Sequence, residues 1–121
     1  MPLGFCGERT VVLLVDDDDG VLETTSELMQ TLGYCVLTAS NGYEALEVLR
    51  EYNQVEVLFS DILMPGMDGE RLAQAACALR PGLHVVLTSG GDGPRSDCTF
   101  VPKPYHAADL LAALQPHAMT V

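Results

Sequence analysis

Basic residues are scarce in this chain. Of its 121 residues only six are Lys or Arg, against 17 Asp or Glu, for a formal net charge of −11. Direct nucleic-acid binding needs a basic face to neutralise phosphates, so so acidic a composition excludes it. Long apolar runs are missing too: none approaches the roughly 18 residues of a bilayer-spanning helix, so no membrane insertion is expected. Met1 to Thr10 lacks the basic start and apolar core of a signal peptide, which makes the cytoplasm the default location. Cys6, Cys35, Cys77 and Cys98 are widely spaced with no C-x-x-C pair, and buried, reduced thiols are the expectation. His84, His106 and His117 have no ligand spacing and read as structural or surface residues. There is no internal repeat, linker or low-complexity tract, so residues 1–121 read as a single domain with a core over about 10–115.

What the chain has is an alternation of strand and helix patterns. Val11 to Val15 is a continuous apolar run, the mark of a strand buried on both faces. Asp19 is a cap for a helix over about 20–32, with Val21, Leu22, Thr25, Leu28, Met29 and Leu32 on one stripe and Gly33 as its stop. A strand over 34–39 and a helix from Asn41-Gly42 to about Tyr52 follow, the latter with Ala45, Leu46, Val48 and Leu49 inward. A third strand, 55–60, ends at Asp61, and Asp68 caps a helix over 69–79 with Leu72, Ala73, Ala76 and Leu79 on one face. Arg80 suits that helix's dipole and Pro81-Gly82 ends it. A fourth strand over 83–88, a short fifth over 99–101 and a last helix over 107–114 complete the pattern. Five strands alternating with helices predict an α/β fold, a parallel sheet with helices on both faces. In such sheets the ligand crevice lies outside the carboxyl ends of the strands.

The residues at those ends are Asp16 to Asp19, Asp61, Thr88-Ser89 and Lys103, the sole lysine. Two carboxylates about 4 Å apart repel by roughly 4 kcal/mol near a protein surface, so a block of aspartates at a strand end calls for a cation. Mg²⁺ takes one or two carboxylates, keeps several waters and accepts phosphate oxygens as ligands. A lysine ammonium and a threonine hydroxyl suit phosphate, and a carboxylate can take a phosphoryl group as an acyl phosphate. Together they predict a site for phosphoryl transfer onto an aspartate.

Four segments carry a more specific likeness: Leu13 to Asp18, Leu58 to Gly69 with Asp61 and Met64-Pro65-Gly66, Val85 to Gly90, and Phe100-Val101-Pro102-Lys103-Pro104. In that order the chain resembles a receiver domain of the bacterial two-component response regulator family, from about Thr10 to Leu114. The resemblance implies a flavodoxin-like, doubly wound sheet of order 2-1-3-4-5. It implies Asp61 as phosphoacceptor and Asp16, Asp17, Asp61 and the backbone carbonyl of Leu63 as Mg²⁺ ligands. It makes Thr88 the switch hydroxyl, Phe100 the switch aromatic, and Lys103 the partner of Asp61 and then of the phosphoryl oxygens. A cis peptide at Lys103-Pro104 is expected. Asp18 and Asp19 are left with helix-start duties. The implied function is phosphorelay signalling, Asp61 taking a phosphoryl group from a phosphohistidine on a sensor histidine kinase or histidine phosphotransfer protein. The domain would assist its own modification and slow loss without being an enzyme, and a weak homodimer is an open alternative to a monomer.

The chain also departs from that family. Only residues 90–99 separate Ser89 from Phe100, and Gly90, Gly91, Gly93 and Pro94 oppose helix there. The helix that receivers carry at that point is expected to be absent or cut to one turn, which alters the usual output face. That shortening and the Gly7-Glu8-Arg9 lead-in resemble a receiver at the C-terminus of a hybrid sensor kinase. Neither Leu63 nor Gly90, two residues beyond Asp61 and Thr88, can orient an attacking water, so slow self-dephosphorylation is expected. Two rival readings stand beside this one. A haloacid-dehalogenase-like phosphatase would use Asp16 as nucleophile and Asp18 as acid/base, but leaves Asp61 unexplained and finds only Asp109 after the lysine. A degenerate receiver acting only as a binding module sits poorly with an intact Asp61, Thr88 and Lys103.

Overall fold

The computed structural model describes residues 9–115. Its elements are β1 (Val11–Val15), α1 (Asp19–Thr31), β2 (Cys35–Ala39), α2 (Gly42–Glu51), β3 (Val55–Asp61), α3 (Gly69–Leu79), β4 (His84–Ser89), β5 (Thr99–Pro102) and α4 (Ala107–Leu114). The five strands are parallel in the order β2-β1-β3-β4-β5, the order the resemblance implied.

The two faces of the sheet explain the unbroken apolar run of β1. Val11, Leu13 and Val15 point to one face, where Leu58, Val85 and Leu87 meet Leu46 and Leu49 of α2 and Leu72 and Ala76 of α3. Val12 and Leu14 point to the other, where Phe59 and Val86 meet Met29 of α1 and Leu110 and Leu114 of α4. Every residue of β1 is buried, so a truncation such as Leu13→Ala would cost about 2–5 kcal/mol.

Side-chain caps set the helix starts. Asn41 accepts from the Glu44 amide at 2.8 Å and Asp68 from the Arg71 amide at 2.8 Å, as their positions predicted. At α1 the expectation is corrected: Asp18, not Asp19, is the cap, accepting from the Val21 amide at 3.1 Å, and Asp19 is the first helical residue. Asp18 wins because the turn from β1 is one residue tighter than the sequence pattern suggests. Gly33 ends α1 at φ +101°, a conformation that disfavours any side chain.

Three smaller expectations are also revised. Arg80 does more than complement its own helix: its guanidinium donates to the carbonyls of Leu49, Tyr52, Asn53 and Val55, tying the end of α2 to the start of β3. Leu79 is exposed rather than inward. The thiols are not uniformly buried and reduced: Cys77 is free and exposed, Cys98 free and half-buried, and Cys35 buried and disulfide-bonded. Cys6, His117 and the Gly7-Glu8 part of the lead-in lie outside the described residues.

Residues 90–98 run from β4 to β5 as bends with no helix, as their glycines predicted. Hydrogen bonds from outside hold the segment instead. The Glu70 carboxylate, in the first turn of α3, accepts the Arg95 amide at 2.9 Å and the Ser96 amide at 3.2 Å. The Ser89 hydroxyl accepts the Gly91 amide at 3.0 Å. Among the described residues no helix is long and apolar enough to cross a membrane.

Candidate functional site

Parallel register delivers the polar residues to one place. Asp61 stands opposite Thr88 across β3 and β4, and Ser89 opposite Pro102 across β4 and β5. Val15 stands opposite Ser60, so Asp16 leaves β1 beside Asp61. Lys103 leaves β5 next to Ser89, whose carbonyl accepts the Lys103 amide at 2.9 Å. The carboxyl ends of four strands thus meet at one edge, where this topology places ligands.

Lys103 bridges the two acidic arms. Its Nζ lies 3.3 Å from Asp16 Oδ2 and 3.2 Å from Asp61 Oδ2. The other oxygen of Asp16 accepts the Asp18 amide at 2.9 Å, and that of Asp61 accepts the Leu63 amide at 3.3 Å. Burial raises the Asp16 carboxyl above its ordinary value; the Asp18 amide and Lys103 oppose the rise, and the neighbouring Asp61 charge adds to it. For Lys103 burial alone would lower the ammonium, but Asp16 and Asp61 outweigh it and the net direction is up.

A carboxylate oxygen from each of Asp16, Asp17 and Asp61 lies within 4.8 Å of the other two. Asp16 and Asp61 are buried and Asp17 is exposed. Three hard oxygen donors facing a single ammonium fit a Mg²⁺ ion that keeps part of its water shell. Opposite them, the Thr88 hydroxyl is buried and has no hydrogen-bond partner among the described residues. An orphaned buried hydroxyl costs about 1–3 kcal/mol, so its place in register beside Asp61 suits an incoming acceptor such as a phosphoryl oxygen.

The structure brings Asp16, Asp17, Asp61, Thr88 and Lys103 together, and Leu63 joins them through its amide. Phe100 sits apart. It pairs with Leu87, is half-buried against the α2–α3 side of the core, and its ring faces Gly93 of the 90–98 segment. The Lys103–Pro104 peptide is cis. Two supporting residues have contacts that the sequence reading did not anticipate. A Cβ on Gly69 would lie 2.3 Å from the Asp61 carbonyl oxygen, so only glycine lets α3 start against the end of β3. Its amide donates to the Ile62 carbonyl at 2.8 Å and closes the loop behind Asp61. Glu70, next in sequence, reaches across to residues 95 and 96, a contact that local pattern cannot reveal.

Comparison with known proteins agrees with this fold. Residues 12–115 match the family model of the response regulator receiver domain. The sensor kinase CckA of Brucella abortus is 38% identical over a 113-residue alignment that covers 86% of this chain and 12% of that protein. The response regulator receiver protein CpdR of the same organism is 32% identical over a 113-residue alignment that covers 86% of this chain and 92% of that protein. Among solved structures, the receiver domain of the hybrid histidine kinase CckA superposes with a TM-score of 0.74 at 34% identity, covering 84% of this chain and 93% of that one. The Vibrio cholerae chemotaxis protein CheY4 gives a TM-score of 0.82 at 26% identity, covering 88% and 97%.

Proposed function

The chain belongs to the response regulator receiver domain family, whose members serve two-component phosphorelay signalling, and from that premise we propose that Asp61 is its phosphoacceptor. The observation that carries the assignment is Lys103, held 3.2 Å from Asp61 with the unpartnered Thr88 hydroxyl in register beside it. The donor is a phosphohistidine on a sensor histidine kinase or histidine phosphotransfer protein.

An Asp61 carboxylate oxygen attacks the phosphorus as the donor's P–N bond breaks. The bonding pair leaves with the imidazole nitrogen, which takes a proton from water, and the new P–O bond makes an acyl phosphate. Lys103 neutralises charge on the phosphoryl oxygens as they approach, and the Thr88 hydroxyl turns from orphan to donor. Asp16, Asp17, Asp61 and the Leu63 carbonyl would hold Mg²⁺, which when bound would add positive charge against those same oxygens. An apolar hollow lined by Val21, Gly90, Pro104 and Tyr105 opens beside Lys103 and suits the donor's approach. In this reading residues 1–121 form one receiver unit that works in the cytoplasm as the substrate of its kinase rather than as a turnover enzyme.

The rival readings predict other outcomes in one experiment: incubation with Mg²⁺ and acetyl phosphate, followed by intact mass. A single phosphoryl adduct on the parent and none on Asp61→Ala is the expected result. Acetyl phosphate turnover without an adduct, dependent on Asp16, would move the assignment to a phosphatase. Neither adduct nor turnover would leave a binding module.

A further inference from the structure

Lys103 is fixed on both sides along the chain. Before it, its amide is tied to the Ser89 carbonyl. Beyond it, Tyr105 turns back under the sheet: its ring packs edge-on against Phe59 with centroids 5.6 Å apart at 86°, and its hydroxyl lies 2.8 Å from Thr25 Oγ1. Thr25 is buried in α1, a helix that otherwise presents apolar side chains to this face of the sheet. A buried threonine there needs a partner, and Tyr105 supplies it.

The two ends of this bond belong to the two charged arms of the site. Thr25 lies on α1, which starts directly after Asp16 to Asp18, and Asp18, whose amide binds Asp16, is its cap. Tyr105 lies two residues beyond Lys103, and Phe59, which carries its ring, lies two residues before Asp61. The hydroxyl pair therefore joins the acidic arm to the lysine arm from behind the site. The ion pairs from Lys103 to Asp16 and Asp61 join them in front.

We propose that Thr25 and Tyr105 are positioning residues, whose hydrogen bond holds Lys103 at the two carboxylates during phosphoryl transfer. Neither touches the reacting atoms. They restrict where the lysine loop can sit relative to α1, so that the ammonium meets developing charge without first being re-ordered. The proposal rests on the assignment of Asp61 as phosphoacceptor.

The test compares Thr25→Val, Thr25→Ser, Tyr105→Phe and the Val/Phe double variant with the parent, using Mg²⁺ and acetyl phosphate. Thr25→Val and Tyr105→Phe should each lower the limiting rate of adduct formation about three- to tenfold, leaving the half-saturating donor concentration unchanged. The double variant should be no slower than either single one. Thr25→Ser keeps the hydroxyl and should keep the rate. In metal-free protein the Lys103 and Ser89 amide resonances should move in Thr25→Val and stay in Thr25→Ser. Parent-like rates in both single variants, additive losses, or a Thr25→Ser as slow as Thr25→Val would overturn the positioning role while the Asp61 adduct stands. If the parent itself forms no adduct, the phosphoacceptor assignment falls. The amide resonances then decide positioning alone: an unmoved Lys103 amide in Thr25→Val overturns it.

Discussion

Lys103 holds Asp61 through a single contact, Nζ to Oδ2 at 3.2 Å, and the same nitrogen holds Asp16. One cation thus offsets two carboxylates that are both buried. Its removal should leave two like charges facing each other in a poorly solvated pocket. Lys103→Met should abolish adduct formation. It should also lower metal-free stability by about 1–3 kcal/mol, a figure reduced because the lysine keeps partial contact with water. Added Mg²⁺ should restore more stability to the variant than to the parent, which urea denaturation with and without the ion would measure. In the parent the lysine's contribution is complete below its ordinary value of 10.5 and is lost as pH rises through the higher folded value.

The Asp16 carboxyl is raised above its ordinary 3.8 by burial, so the folded protein binds that proton more tightly than the unfolded chain. Stability then falls as pH rises from 3.8 through the folded value, and the penalty is complete above it. Asp16→Asn keeps an oxygen for the Asp18 amide and removes the charge. The variant should be more stable than the parent in metal-free buffer at neutral pH, with a flatter urea midpoint across the acid range, and should respond less to Mg²⁺. A variant less stable than the parent at neutral pH would mean that the Lys103 pairing outweighs the burial.

Gly69→Ala tests the seam behind Asp61. The added methyl meets backbone, 2.3 Å from the Asp61 carbonyl oxygen and 2.8 Å from Ile62 Cα, and cannot be accommodated by rotating a side chain. We expect a loss of about 1–3 kcal/mol in urea unfolding and slower adduct formation, since α3 must move off the end of β3. Gly82→Ala is the control: nothing lies within 4 Å of a Cβ there, and it should match the parent.

These relationships show where the sequence speaks and where it stops. The strands, their ends and five of the site's side chains were legible, because two-faced burial writes continuous apolar runs and because the charged residues follow them directly. The absent helix was legible from Gly90, Gly91, Gly93 and Pro94. The α1 cap was displaced by one residue, since Asp18 and Asp19 are chemically equal and only the turn geometry separates them. Phe100 was named the switch aromatic only by resemblance, and the fold adds that its ring lies against Gly93 of the 90–98 segment. Glu70 and the Thr25–Tyr105 pair were silent because each acts on a partner distant in sequence, brought close only by the folded register, while Gly69 was read as a helix start and not as a close approach to Asp61.

Glu70 offers a test of how the 90–98 segment is held. Its two oxygens take the Arg95 and Ser96 amides, which no helix is there to satisfy. Glu70→Ala should expose both amides to fast hydrogen exchange and cost about 1–2 kcal/mol, while Glu70→Gln should retain part of the protection. Unchanged exchange at both amides in Glu70→Ala would show that the Ser89 bond to Gly91 and the packing of Phe100 hold the segment without Glu70.

Phosphoryl lifetime depends on whether a side chain can present water to the phosphorus. Leu63 is 69% exposed at the mouth of the site and offers only hydrocarbon, and Gly90 faces open space with nothing within 4 Å of a Cβ position. No group at either point can accept a proton from water or align it in line with the Asp61 oxygen, so the acyl phosphate should be long-lived. Leu63→Asn places a donor and an acceptor where water approaches, and because the side chain is exposed the change should leave folding intact. Loss of the adduct, followed by intact mass after removal of acetyl phosphate, should quicken by about two- to tenfold. The same variant should take up the phosphoryl group at the parent's rate, since Lys103, Thr88 and the acidic arm are untouched. A Leu63→Asn adduct that persists as long as the parent's would remove water orientation as the limiting factor and leave access to the phosphorus as the cause.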